Sequence, residues 1–484
     1  MKKVFFSAAA LMCGTMMFAQ SNNSNVDQLG SGNASVVSQT GMTNNSDVDQ
    51  VGDTNDSDVA QVGVSNNNDV DQLGNGNEGD VIQTGDNNQS SIHQGYGAGA
   101  SINDNNVGSI TQTGNGNIGH IDQYGDTGGS DNNNSAINQD GDSNYAFNLQ
   151  NGDLNGSTQD QIGNSNTTNV LQYGDSNVSG EDQNGDLNSS YTYQYGDMNY
   201  SRVDQIGDSN NSDVDQLGNS NSSIVAQWGS DNVSTSAQTG DFNSQFTHQG
   251  LTGDRNTSAT IQTGNSNMAH TDQYGRYIGG GSNDSQSTIT QVGDLNDAFT
   301  VQQGDFNTSL VWQYGNSNDS DVVQTGDNNT SLVRQGAPFD AVTAASDNNT
   351  STVTQIGNGN WQSTDQYTPA GDGSDDNTST VTQTGDNNYS FTAQFDDNHV
   401  STVDQTGDNN QSEVRQSGDA NTSLVTSTGD FNVSDVNQSG NMHMSTVSQL
   451  GDMNSSDVDQ TGDTHMSTVN QIGDSNMSTV MQNN

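Results

Sequence analysis

The sequence predicts an all-β fold, a two-sheet β-solenoid, on three observations. A glutamine recurs every eleven residues through almost the whole chain: Gln28, Gln39, Gln50, Gln61, Gln72 and Gln83 open the series, and Gln482 ends it. Of 39 such positions only Ser427 departs from glutamine. Ahead of each glutamine, small and apolar residues alternate with polar ones at the period of a strand. Six insertions interrupt the frame, in pairs two units apart. A short fixed period is the mark of a stacked array and outranks local signals.

The single unit comes first. In Gln50-Val51-Gly52-Asp53-Thr54-Asn55-Asp56-Ser57-Asp58-Val59-Ala60-Gln61, the residues Ser57, Val59 and Gln61 are spaced by two and share one face of a strand. Asp58 and Ala60 take the other face. Gly52, Asp53 and Thr54 supply a turn, because glycine accepts positive φ and aspartate bonds its own backbone. Each unit therefore reads as a strand of about six residues and a tight turn.

One strand cannot close a coil, so several units must form a rung. The insertions follow Gln94, Gln123, Gln249, Gln273, Gln335 and Gln366. If two units make one rung, each pair of insertions lies on neighbouring rungs of one edge. A three-sided coil would favour separations of three. The prediction is a rung of 22 residues and about 19–20 rungs, stacked ~4.8 Å apart in cross-β, amyloid-like fashion. Pro338 and Pro369 fall in insertions, where no ladder hydrogen bond is lost. Arg202, Arg334 and Arg415 fall at outward strand positions, while Arg255 and Arg276 lie in or beside insertions.

Stacking places like residues over like. The expected structural ladder comprises Gln28, Gln39, Gln50, Gln61, Gln72, Gln83, Gln205, Gln216, Gln449 and Gln460, with Asn33, Asn44, Asn55, Asn210 and Asn454. Each amide can donate to the next and accept from the last. That answers the objection raised by a hydrophobic content of only 27%, since buried amides are tolerable when bonded. A thin apolar layer is expected from Val48, Val59, Val70, Ile92, Val214, Val353, Val436 and Val458. One stretch should be weak: Asn148, Gln159 and Glu181 stand at inward positions that elsewhere hold valine. Glu181 should have a raised pKa or find a partner.

Residues 1–19 read as a secretory signal peptide, with Lys2 and Lys3, an apolar stretch from Val4 to Phe18, and a cleavage site after Ala19. Residues 20–484 form the repeat solenoid, with loops near 95–105, 124–132, 250–254, 275–284, 337–347 and 367–376. No segment beyond the signal is long and apolar enough to span a bilayer. Cys13 leaves with the signal, so the mature chain has no thiol chemistry. Five arginines then face 59 acids, a balance of −54, which makes nucleic acid an unfavourable partner.

The run Q-x-G-x-x-N-x-[A/S]-x-x-x-Q, as in Gln39…Asn44…Ser46…Gln50, Gln205…Asn210…Ser212…Gln216 and Gln449…Asn454…Ser456…Gln460, resembles the curlin repeat of curli fibre subunits. The resemblance covers nearly the whole mature chain. It implies a secreted functional amyloid that polymerises at the cell surface, builds a biofilm matrix and serves adhesion. An outer-membrane secretion channel and a nucleator are the partners it implies. The chain departs from the five-repeat subunits of that family by its length, its acidity, the short stretch between Ala19 and the first repeat, and Ser285, His399, His443 and His465 at asparagine positions.

No catalytic constellation emerges from the repeat, and no cofactor or metal site is expected beyond diffuse divalent-cation condensation. The seven histidines are scattered and form no metal spacing. Gly-Asp-x-Asn turns lack the nonapeptide period of Ca²⁺-binding rolls. Thr352/Thr354 and similar outward pairs are too interrupted for an ice-binding array. Outward aromatics such as Tyr124, Tyr173, Tyr195, Trp228, Tyr314 and Tyr367 read as cross-strand packing. The expected partner is the chain itself, added end to end; Asn22-Asn23-Ser24 already fits the frame, and the sequence stops two residues after Gln482, with no cap-like segment at either end. The alternative is a monomeric extracellular adhesin or binding scaffold acting through its paired loops.

Overall fold

The computed structural model describes residues 21–95, 104–125, 130–250, 253–274, 282–336, 346–367 and 373–484. The expected signal peptide and most of the six expected loops lie outside the described residues. The described residues form 39 strands and no helix, one strand per eleven-residue unit, from β1 (Asn23–Leu29) to β39 (Met477–Asn483).

Within residues 23–184 and within residues 200–483, each strand pairs in parallel with a strand two repeats away. Strand β1 lies beside β3 (Asn45–Val51) with Ser24 opposite Ser46, Val26 opposite Val48 and Gln28 opposite Gln50. The next strand, β2 (Ala34–Met42), lies beside β4 (Asp56–Val64) in the same register. Two units therefore make one turn of 22 residues, and alternate strands build two separate sheets. The insertions do not disturb this register. Gln94 faces Gln123, Gln249 faces Gln273, and Gln335 faces Gln366. Each pair of insertions thus leaves neighbouring strands at one edge, as the two-unit rung requires.

The chain divides into two compact units, residues 1–191 and 192–484. In the first, β1 to β14 (Val178–Asn184) make seven turns around a core of Val48, Val59, Val70, Val81, Ile92, Ile110, Ile121, Ile137 and Ala146. In the second, β16 (Tyr200–Ile206) to β39 make twelve turns, with buried clusters around Val203–Val225, Ile289–Val353 and Val381–Val469. The expected apolar layer is all inside, from Val48 to Val458. Each such valine contributes about 1.5–3 kcal/mol by leaving water. Strands such as β3 alternate strictly, because the inner row of serine, valine and glutamine leaves the other row to solvent.

The turns are built across rungs. Gly52 has φ 124°, and a Cβ there would sit 1.8 Å from the carbonyl oxygen of Gly74 on the next turn, so only glycine fits. The sequence reading had aspartate bonding its own backbone; instead, Asp53 Oδ1 accepts from the Ser31 N–H at 2.7 Å, and Asp53 N–H donates to Asn75 Oδ1 at 2.9 Å. Two residues after each glycine a second left-handed residue appears, which the sequence reading missed. It is often not glycine: Thr54, Phe242, Phe306 and Phe431 have φ between 57° and 60°. The cost of that conformation, about 1–2 kcal/mol, is offset by inter-rung bonds such as Thr54 N–H to Ser31 O at 2.9 Å.

The stretch expected to be weak is inward and polar. Asn148, Gln159 and Glu181 are fully buried. Asn148 Oδ1 and Gln159 Oε1 have no hydrogen-bond partner among the described residues. Glu181 does find partners: its carboxylate accepts from Ser179 Oγ at 2.9 Å and from Ser190 Oγ of the opposite sheet.

Candidate functional site

Within each compact unit the glutamines stand in columns. Gln28 donates to Gln50 at 2.6 Å, Gln50 to Gln72 at 2.8 Å and Gln72 to Gln94 at 2.9 Å. On the other sheet Gln39 donates to Gln61, Gln61 to Gln83, and Gln83 to Gln112 across an insertion, at 2.8–2.9 Å. In the second unit Gln205 reaches Gln227, Gln216 reaches Gln238, Gln449 reaches Gln471 and Gln460 reaches Gln482, at 2.8–3.0 Å. The second amide proton crosses to the facing sheet: Gln50 Nε2 donates to Ala34 O at 2.9 Å. These glutamines therefore bond along their own sheet and tie the two sheets together.

The asparagines work differently from a simple amide chain. Asn33 Oδ1 accepts the backbone N–H of Asn55 at 3.0 Å, and Asn33 Nδ2 donates to Gly52 O at 2.9 Å. Asn44 reaches Gly63 O, Asn55 reaches Gly74 O and Asn210 reaches Gly229 O, at 2.8–3.1 Å. These asparagines satisfy turn backbone rather than one another. Side-chain to side-chain bonds join in further along, as in Asn454 Nδ2 to Asn432 Oδ1 at 3.1 Å. The substitutes keep the role: Ser285 N–H donates to Asn256 Oδ1, and Ser285 Oγ donates to Gly304 O at 3.2 Å.

The outer faces carry columns of aspartate. Asp47 stands beside Asp69, and Asp49 beside Asp71. Burial, then repulsion from neighbouring aspartates, raises Asp49. On one such face the rungs gather histidines that lie far apart in sequence. His93 Nδ1 is 3.0 Å from Asp122 Oδ1, and His120 Nε2 is 2.9 Å from Asp122 Oδ2. Hydrogen bonds to Asp122 and Asp69 raise His93 to about 10. Burial acts to raise Asp122, but the bonds from His120 and His93 outweigh it and bring it to about 2. The ligand atoms of His93, His120 and Asp122 lie within 4.8 Å of one another, as do those of Asp69, Asp71 and His93. Stacking brings together histidines that are scattered in the sequence. Residues 29 apart become neighbours because a rung of 22 carries an insertion of seven.

Arginines pair with the acidic surface. Arg334 makes a two-pronged pair with Asp365, Nε to Oδ1 and Nη2 to Oδ2, both at 2.7 Å. Arg255 does the same with Asp284. Outward aromatics stack between rungs, as Trp361 does on Tyr389 with centroids 4.6 Å apart. Among the described residues, no helix is long and apolar enough to cross a membrane.

This geometry defines a class: parallel two-sheet β-solenoids whose rungs are joined by buried amide columns. The model of the curlin associated repeat matches residues 192–218 and 293–326, so these segments are similar to curlin repeats. Both matches lie in the second unit, yet the same frame of strand, glutamine, glycine and asparagine organises the first. No curated protein matches the chain.

Proposed function

We propose that this chain is the secreted structural subunit of a curli-like functional amyloid fibre in an extracellular biofilm matrix, where it supports cell adhesion. Residues 1–19 direct its export, and growth proceeds by end-to-end strand addition. The observation that carries this reading is the in-register stack, in which every turn presents the same hydrogen-bonding edge that it receives. At β39, paired only with β37 (Ser455–Asp463) among the described residues, Met477 is 84% exposed and Met481 70% exposed. At the other end, Val26 is 41% exposed, in a row where Val48 and Val70 are covered. Edges of this kind template a further strand.

A passage through the outer membrane and a nucleating partner belong to this reading. The role is structural rather than enzymatic. Purified chain should grow fibres that bind amyloid dyes and diffract at about 4.8 and 10 Å, and fragments should seed fresh chain. A particle that stays monomeric under all conditions would sink the proposal. It would favour a monomeric adhesin, the second reading, which the placement of paired insertions on neighbouring strands supports.

A further inference from the structure

The three places where paired insertions leave the stack are copies of one another. In the first, His93 is the last residue but one of β7 (Gln89–Gln94), and the neighbouring β9 (Ile118–Gln123) holds His120 and Asp122. Phe147 follows on β11 (Tyr145–Asn151). In the second, His248 is the last residue but one of β20 (Ser244–Gln249), β22 (Met268–Gln273) holds His270 and Asp272, and β24 (Asp297–Gln303) holds Phe299. In the third, Arg334 is the last residue but one of β27 (Thr330–Gln335), β29 (Trp361–Gln366) holds Ser363 and Asp365, and β31 (Tyr389–Phe395) holds Phe391. Counted from the ladder glutamine, all twelve positions correspond. The aspartate and the phenylalanine are present each time. The two imidazoles are present together or replaced together.

That joint replacement is what two ligands of one ion would show. We propose that the His93–His120–Asp122 and His248–His270–Asp272 clusters each bind one divalent transition-metal ion, and that the Arg334 guanidinium is the fixed cation that takes its place in the third copy. Two imidazoles and one carboxylate suit Zn²⁺, Co²⁺, Ni²⁺ or Cu²⁺ rather than Mg²⁺ or Ca²⁺. In the second cluster His270 Nε2 lies 3.0 Å from Asp272 Oδ2, and His248 Nδ1 lies 3.7 Å from Asp272 Oδ1. The Nε2 atoms of His248 and His270 are buried and have no partner of hydrogen-bond geometry among the described residues. The phenylalanines hold the rings. His120 lies flat on Phe147 with centroids 5.2 Å apart, and His270 lies between Phe246 and Phe299 at 4.7 and 4.8 Å. Each ligand set spans two strands, so a bound ion clips together the rungs from which the insertions leave, as the Arg334–Asp365 pair does. The inference does not depend on fibre growth.

The test is a Co²⁺ titration of the purified chain, in excess Mg²⁺ to occupy the acidic surface, read by the visible ligand-field bands. Two ions per chain are expected. His93→Ala with His120→Ala should leave one, His248→Ala with His270→Ala should leave one, and the four together should leave none. Arg334→His with Ser363→His should raise the count to three, which guards against reading a folding defect as lost binding. Stoichiometry and spectra unchanged in the histidine variants would overturn the two sites. A third site that fails to appear would overturn the role assigned to Arg334.

Discussion

The Nδ1 atom of His399 accepts the backbone N–H of Asn421 at 3.2 Å, in the place that asparagine Oδ1 takes on most rungs. Its Nε2 bonds to Phe395 O at 2.7 Å, as Asn44 Nδ2 bonds to Thr40 O. This pattern uses the neutral ring protonated at Nε2. Burial lowers the pKa of His399 below its ordinary 6.5. The unfolded chain therefore takes up this proton first, and the contribution of His399 is present above the unfolded value and lost as pH falls through it. His399→Asn should change stability by less than ~0.5 kcal/mol at neutral pH. Below about pH 6.5 the variant should become the more stable of the two. Denaturation curves at several pH values would show it, and parallel curves would refute it.

The one gap in the glutamine column gives a second prediction. Ser427 Oγ donates to Gln449 Oε1 at 2.9 Å, but Gln405 Nε2 reaches only Tyr389 O. Ser427→Gln should add a bond from Gln405 and raise stability by about 0.5–1.5 kcal/mol. The reverse change at an intact position, Gln216→Ser, removes the bond from Gln194 at 2.9 Å and the one to Tyr200 O at 3.0 Å. It should cost about 1–3 kcal/mol for each buried group left unpaired. If neither change moves the unfolding midpoint, the columns are not what holds the rungs together.

Acidification should stabilise the outer faces. Burial raises Asp213 and Asp215, and Asp213 adds to the rise at Asp215. Burial likewise raises Asp319 and Asp321, with repulsion from Asp321 and Asp297 adding at Asp319. Such carboxyls bind protons more readily folded than unfolded. Between the ordinary value of 3.8 and the raised one, the folded state holds more protons, so its stability rises as pH falls. The thermal midpoint should be higher near pH ~4.5 than at neutral pH, and fibre growth should quicken with it. Added salt should act in the same direction by screening. Asp213→Asn with Asp215→Asn should raise the neutral-pH midpoint and flatten the pH response; an unchanged response would count against this account.

Gln159 offers a fourth test. Its Nε2 donates to Phe147 O at 2.8 Å, but its Oε1 is buried without a partner. Gln159→Val restores the residue type found at this inward position elsewhere. It should stabilise the first unit by about 1–3 kcal/mol, the cost of an unpaired buried polar group. Hydrogen exchange should slow around residues 145–162 in the variant. Exchange as slow in the parent chain as around Val59 would show that the polar stretch is not weak.

The eleven-residue period, the inward valines and the pairing of insertions are legible in the chain, because strand alternation and equal spacing are properties of order along the sequence. They suffice to place Gln28 over Gln50 and to bring Gln94 beside Gln123. The sequence also marked Asn148, Gln159 and Glu181 as inward. What only the tertiary structure decided is which atoms answer one another between rungs. Asp53 looks like a turn residue bonding its own backbone, yet its oxygen serves Ser31 of the previous rung. His93 and Asp122 look unrelated at a separation of 29, and stacking makes them touch. Linear order fixes the column in which a side chain stands. The partner it finds depends on the height at which the chain returns, which insertions and turn geometry set in three dimensions.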